Sequence, residues 1–577
     1  ELYSYMSYSL LSPNIKPSLS HLINELKKFD LIEIIFVLAK INLLVSEKKY
    51  AVSQPFQQYL YKYFLNDYHR EKVLAFLRKE GDRFLLFHHH QLLFLLKNAF
   101  LNCGKLPNVN FMIPSVMKRF GKCCLLANDF LYLTGVEREE LDEMDIEGKR
   151  EVLWKESLPS FELNIQSEKM FDIGRVRYFF KRILPKLKDV QTFIDIDSKF
   201  QGFSGMSLDD YMFLVFGTLA LYLIRKDEII KNPNAIIIDS GDFTKHSEIS
   251  AEKITKFLDL ISIPVEQYKQ EFLNSKDLDF NYGFLPFKKY PLARIYDGKY
   301  FCLDFNFLLD KISEGIFWLI HDSLKPIERN RFRTFWGNIF ESYLIYFFEE
   351  AGLIKKDMFI PKPVFNNSQD EAADGILNFG EDLVLFEYKF TNLTQEAKYS
   401  SSRSDLINEI KLKFEINKNG EWKGYGQLAN NIKKLFSKEG SIPCKYINKE
   451  KVKRVYPVLI TYEHLFNAPL TNYFFNKYFQ KLIDISLIEE NIEIKPLIVF
   501  TVEDLEASQP YLSNFPGLIQ DRLRFDEELI SSFSDFLKIK HADDTLLIPE
   551  IIKKEYHSYG EEVTKAFFPD LEIKLPE

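Results

Sequence analysis

A chain of 577 residues, 46% hydrophobic and 27% charged, has the length for two to four domains and the balance of an ordinary folded protein. Its net charge of −8 argues against a protein that coats nucleic acid, so any such contact must come from a local basic surface. The five cysteines (Cys103, Cys123, Cys124, Cys302, Cys444) form no CxxC pair, which argues against a zinc ribbon or a disulfide framework. With no signal peptide evident, a reducing cytoplasm is the expected compartment.

Residues 1–233 read as a mainly helical region of unnamed role. Helical periodicity recurs over 19–45, 55–78, 91–101, 176–184 and 208–225. The longest apolar runs, 31–45 and 211–224, are shorter than the roughly 18 residues of a membrane span and read as core helices. Three adjacent histidines, His88, His89 and His90, invite a metal reading. Neighbours on a helix point in different directions, so a polar helix end is the plainer account.

Residues 234–325 read as a mixed α/β connection. "NAIIIDSGDF" (234–243) suggests a strand leaving into a turn, and its "DSGD" lacks the fixed-spacing partners of an acidic site. A helix follows, capped by Ser247 or Ser250. A hairpin over 290–305 turns at Asp297-Gly298, and a helix over about 307–323 leads into Pro326. The domain boundary is placed there.

Residues 326–577 carry the chemistry. "FRTFWGNIFESYLIYFFEEAG" (332–352) reads as a helix with Gly352 as its stop, and Glu341 falls on its apolar stripe. A buried acid needs a partner or a metal. Arg329, Arg331 or Arg333 could supply the former.

The next stretch, "ADGILNFGEDLVLFEYKF" (373–390), reads as two strands around a two-residue turn, Gly380-Glu381, of type II′. That register sets Asp374 directly opposite Glu387, with Cβ atoms about 4.5–5.5 Å apart. Lys389, two residues after Glu387, shares its face. Opposed carboxylates resist joint ionisation, and a hard divalent cation between them removes the penalty. The alternative is an exposed ion-pair cluster.

"GYGQLANNIKKLFSK" (424–438) reads as a helix with Gln427, Asn431 and Lys434 on one face. Residues 403–438 hold eight basic side chains (Arg403, Lys411, Lys413, Lys418, Lys423, Lys433, Lys434, Lys438) against four acids (Asp405, Glu409, Glu415, Glu421). Lys423, Lys433, Lys434 and Asn431 are the expected substrate contacts; a solvated helix face is the alternative. Strands follow at 454–462 and 492–505, and the tail after Ser508 reads as loop and helices.

A glutamate on a helix, an aspartate on a strand, Glu-x-Lys on the next strand and a glutamine on the following helix together resemble the PD-(D/E)XK nuclease superfamily. The matching pieces are Glu341 in "GNIFES", Asp374 in "ADGIL", Glu387 and Lys389 in "FEYK", and Gln427 in "GYGQLANN". Ala373 stands where the name-giving proline would be, and Asn431 where the RecB-like branch has tyrosine. The resemblance covers residues 329–505. It implies a restriction-endonuclease-like α/β core, a mixed sheet flanked by helices, fused to the helical N-terminal region. It also implies Mg2+ or Mn2+ held by Asp374, Glu387, Glu341 and the Tyr388 carbonyl, with Lys389 catalytic and Gln427 touching substrate or lysine.

The implied activity is phosphodiester hydrolysis, on DNA before RNA. A large helical region fused to such a core resembles bacterial anti-phage effectors in architecture. There the N-terminal half would sense a signal, bind a protein partner or form a homo-oligomer, with no membrane involved. A housekeeping repair or restriction nuclease, and a catalytically inactive nucleic-acid-binding or scaffold protein, stay open as alternatives.

Overall fold

The structure is a computed structural model. It describes residues 4–45, 53–81, 84–105, 114–131, 136, 138–163, 172–244, 249–296, 298–350, 357–366, 368–541 and 548–567. The fold is mixed α/β, with sheets flanked by helices.

Helices dominate the first 230 residues, but two expected long helices are each broken in two. The 19–45 stretch divides into Leu19–Leu26 and Leu31–Val45, and the 55–78 stretch into Gln54–Phe64 and Asp67–Glu80. Both breaks fall at capping residues. Asp30 accepts the Ile32 N–H at 2.9 Å, and Asn66 accepts the His69 N–H at 2.8 Å. Helix Leu208–Ile224 begins at the Ser207 cap, as does Ala251–Leu260 at Ser250; Ser247 lies outside the described residues.

The connecting region forms a four-stranded sheet in the order Ile237–Ile238, Lys299–Cys302, Leu292–Tyr296, Ser262–Pro264. The expected hairpin is present, with Gly298 at φ +74°, while Asp297 lies outside the described residues. The helix expected over 307–323 is two, Phe305–Leu309 and Glu314–Ser323. The "DSGD" turn is locked by its own groups: Asp239 accepts the Gly241 N–H, and Arg225 pairs with Asp242.

The larger sheet has six strands among the described residues. Helix α1 (Pro326–Glu350) precedes it. Its strands are β1 (Phe359–Pro361), β2 (Gly375–Asn378), β3 (Asp382–Lys389), β4 (Arg454–Thr461), β5 (Glu493–Ile494) and β6 (Ile498–Thr501). Helices α2 (Gly424–Phe436) and α3 (Thr471–Leu482) lie between β3 and β5. The order is β5-β4-β3-β2-β1, with β6 also pairing with β4. The β2–β3 and β1–β2 pairs are antiparallel, and β4 runs parallel to β3, β5 and β6.

Helix α1 starts at Pro326, a turn and a half before the expected start, because proline suits the first helical position. The expected stop, Gly352, lies outside the described residues. Phe332, Phe335, Trp336, Ile339, Phe340, Tyr343, Leu344, Phe347 and Phe348 are buried at three- and four-residue spacing. Burial of each is worth about 2 kcal/mol against exposure. The strand expected over 492–505 is two, β5 and β6, and the second ends at Thr501, where a reciprocal capping box with Asp504 turns the chain into helix Val502–Ala507.

Alternation along β3 divides its side chains between two cores. Val384, Phe386 and Tyr388 join the core shared with the N-terminal helices, where Phe348 packs on Phe359 and Phe386. Leu383 and Leu385 join a second core with α2, α3 and helix Ile146–Leu163, whose Trp154 stacks on Phe474 at 4.5 Å. Residues on both sides of position 326 thus share one interior. Among the described residues no single helix is long and apolar enough to cross a membrane; one bent pair, Ile196–Ser204 with Leu208–Ile224, passes by length and composition only.

Candidate functional site

The hairpin has the register expected of it. Gly375 faces Phe386, Ile376 faces Leu385, and the Phe379 N–H meets the Asp382 carbonyl at 2.9 Å across Gly380-Glu381. Gly380 takes φ +86° and Glu381 does not turn positive, the signs a type II′ turn needs. Asp374, one residue before β2, lies past the last β2–β3 pair, Gly375–Phe386, close enough for its carboxylate to act on Glu387. Its N–H donates to the Phe386 carbonyl at 3.0 Å, and its Oδ2 accepts the Tyr388 N–H at 2.6 Å.

Glu387 is 0% exposed. Its Oε1 meets the Lys389 ammonium at 2.5 Å, while its buried Oε2 has no hydrogen-bond donor among the described residues. Burial pushes its carboxyl up to about 8, the Asp374 carboxylate adds to that, and Lys389 opposes it. Asp374 is raised for the same first reason, opposed by Lys389, the Tyr388 N–H and Lys362. Burial alone would lower Lys389, but Glu387, Asp374 and Glu341 outweigh it and hold the ammonium charged.

Glu341 arrives from α1, and its partner is Lys362 at 2.7 Å. None of the three arginines that the sequence offered is its partner: Arg329 donates to the Leu324 and Asp322 carbonyls, Arg331 to those of Gln191 and Phe193, and Arg333 is exposed. Burial raises the Glu341 carboxyl, Lys362 opposes the shift, and Asp374 and Glu371 add to it. Glu371 is raised as well, first by burial. The cluster thus holds four acids (Glu341, Glu371, Asp374, Glu387) and two ammoniums (Lys362, Lys389). Sequence reading missed Lys362 and Glu371. The only signal was a lysine between two prolines, "PKP", and an acid three residues before Asp374.

Helix α2 lies over the Leu383–Leu385 face. Asn431 donates to the Glu371 and Ala372 carbonyls at 3.3 and 3.2 Å, so it anchors the segment entering Asp374. Gln427, one turn earlier on the same stripe and half-buried, takes no side-chain hydrogen bond among the described residues. Close packing fixes the helix start: a Cβ on Gly426 would stand 2.2 Å from the Glu415 carbonyl oxygen. Of the basic residues, Lys423 pairs with Glu421 at 3.1 Å and Lys413 with Glu409 at 2.8 Å, while Lys434 lies over the Phe365 ring. Lys433 takes no ion pair among the described residues.

The oxygen donors suit a hard divalent cation, and the buried Glu387 Oε2, without a donor among the described residues, is the feature such an ion satisfies. Among the described residues no three His, Cys, Asp or Glu side chains converge at metal-binding geometry. The three histidines stand elsewhere. His88 caps helix His89–Asn102, His89 joins the Leu163 carbonyl to Asp304, and His90 is sealed in the core. All five cysteines are unpaired. Comparison of the chain with family models, curated proteins and solved structures finds no match to any of them.

Proposed function

We propose that the chain is a metal-dependent nuclease of PD-(D/E)XK type, hydrolysing phosphodiester bonds of DNA, with RNA as the second substrate class. In this reading it is the effector of a bacterial anti-phage system, and its helical N-terminal half senses a signal or restrains the site. The observation that carries the chemistry is Glu387, wholly buried, its Oε2 without a donor among the described residues, between the Asp374 carboxylate and the Lys389 ammonium. Burial and the Asp374 carboxylate both disfavour the charged form of Glu387, a penalty that a bound cation would remove.

Asp374, Glu387, Glu341 and the Tyr388 carbonyl would hold Mg2+ or Mn2+. Such an ion, when bound, polarises the phosphate and makes water nucleophilic at neutral pH. The protein supplies the rest. The Tyr388 N–H fixes Asp374 Oδ2, so the carboxylate cannot rotate away. The Lys389 ammonium orients the attacking water and stabilises the charge that grows on the phosphate oxygens. Gln427, Lys423, Lys433 and Lys434 border the approach along α2 and contact the backbone of the nucleic acid. Asn431 supports the Glu371–Ala372 segment.

The test is purified protein with Mg2+ or Mn2+ on plasmid, linear DNA and RNA, with a chelator control. A second reading, a catalytically inactive nucleic-acid-binding or scaffold protein, is favoured by one observation: Glu341, Glu387 and Asp374 each already have a partner within the chain. Binding without turnover in the same assay would select it.

A further inference from the structure

Between β1 and β2 the chain does something the sheet does not require. Pairing runs regularly from Phe359–Leu377 to Pro361–Gly375 and on to the Lys362 N–H, which meets the Asp374 carbonyl at 3.0 Å. It then slips by one residue: the Ala372 N–H meets the Pro363 carbonyl, and Val364 faces Glu371. Ala373 is the extra residue of a β-bulge, a device that re-aims neighbouring side chains. Opposite it, Lys362 adopts φ +46°, in the left-handed region that a non-glycine residue seldom enters. Backbone held there marks a place where the surroundings over-determine a conformation for some other purpose.

What that conformation achieves is the placement of one ammonium. Lys362 Nζ lies 2.7 Å from Glu341 Oε1, within the field of Glu371 and Asp374, while its side chain remains 48% exposed. The cluster already has one lysine, Lys389, committed to Glu387. Lys362 is therefore a second, more exposed cation, attached through the bulge to the strand that delivers Asp374 and bonded to the acid that α1 delivers.

We propose that Lys362 is a tethered counter-ion of this site: its ammonium neutralises Glu341 in the ion-free protein, competes with a divalent cation for that carboxylate, and on release contacts a phosphate oxygen of the substrate. The proposal rests on the nuclease reading for its substrate, but not for the competition itself. Because the ammonium and the ion seek the same oxygens, removing the lysine tightens ion binding while weakening cleavage. A lysine with no phosphate contact would tighten ion binding when removed and leave cleavage at saturating ion unchanged.

The experiment is calorimetric titration of the full chain with Mn2+, without nucleic acid, for the parent, Lys362→Gly and Lys362→Arg. Glycine removes the ammonium yet accepts a positive φ without strain, so the folded state is kept; arginine restores the charge. Lys362→Gly should bind Mn2+ about tenfold tighter, Lys362→Arg should return the affinity to the parent value, and at saturating Mn2+ Lys362→Gly should cleave DNA at least tenfold more slowly. Equal or weaker Mn2+ binding by Lys362→Gly overturns the counter-ion role. Tightened binding with no cleavage by the parent keeps the competition, removes the phosphate contact and defeats the nuclease reading alone. Cleavage by the parent with unchanged affinity in Lys362→Gly defeats only the Lys362 proposal. A parent that binds no Mn2+ defeats both.

Discussion

The Tyr388 N–H donates to Asp374 Oδ2 at 2.6 Å, just where the β2–β3 ladder runs out. A side chain takes over from the backbone as acceptor, so the acid is oriented by the strand that carries Glu387 and Lys389. The two halves of the hairpin therefore cannot move apart without disturbing the carboxylates.

Replacing either acid should separate activity from stability. Asp374→Ala and Glu387→Ala are each expected to abolish cleavage at little net cost in ion-free melting temperature, because loss of a buried acidic neighbour offsets the partner lost by the Tyr388 N–H or the Lys389 ammonium. Lys389→Ala should abolish or severely slow cleavage without weakening Mn2+ binding. Melting temperature and cleavage rate measured together decide it. If all three melt well below the parent while the folded fraction keeps its specific activity, the hairpin is structural and the nuclease reading fails.

The pH dependence of stability follows from Glu387. Its carboxyl is raised to about 8 in the folded protein, against roughly 4.3 in an unfolded chain. The folded state therefore holds a proton that the unfolded state releases. The contribution of this group is most favourable below about pH 4 and is lost progressively as pH rises through 8. Glu387→Gln, which cannot ionise, should gain melting temperature over the parent as pH goes from 5 to 9 in chelator. A constant difference across that range would show that the carboxyl titrates normally.

Chelation and salt probe the ion and the basic face. Cleavage should vanish in EDTA and return with Mg2+ or Mn2+; undiminished cleavage in chelator removes the metal mechanism. Reversing Lys423, Lys433 and Lys434 to Glu should weaken DNA binding and flatten its dependence on salt. An unchanged slope would mark those lysines as ordinary solvated surface.

A buried carboxylate away from the site offers a stability test. Glu162 accepts from Lys288 at 2.6 Å, from Lys398 at 2.8 Å and from the Tyr399 hydroxyl at 2.5 Å. Burial works against its charge, and the two ammoniums outweigh that and hold its carboxyl well below the usual range. Glu162→Ala takes a carboxylate from the half-buried Lys288 and from Lys398, which keeps Glu463 at 3.4 Å, and should cost about 1.5–3 kcal/mol. Chemical denaturation measures it; a loss under 1 kcal/mol would mean that water reaches the cluster.

The hairpin was legible because one glycine fixed a two-residue turn, and alternation then placed every side chain on it. The capping residues Asp30 and Asn66 were just as visible, but the apolar period runs on across them and hides the breaks. Strand 492–505 was read too far because "VEDL" continues an apolar run, although Thr501 and Asp504 spell a capping box. Lys362 and Glu371 join the cluster through a one-residue slip in pairing, which leaves no periodic trace. The partners of Glu162 lie more than a hundred residues away in the chain, beyond what spacing can reveal.

Trp154 on Phe474 and Glu162 on Lys398 both belong to helix Ile146–Leu163, which lies beneath the sheet although it comes long before it in the chain. A fragment cut near residue 326 would keep every residue of the hairpin and still lack part of its floor. It would expose the socket of an indole and strand an ammonium in an apolar wall, and such a piece should aggregate whatever its catalytic competence. Dissecting this protein by deletion would therefore report on solubility before it reported on chemistry, and point substitutions in the intact chain are the cleaner instrument.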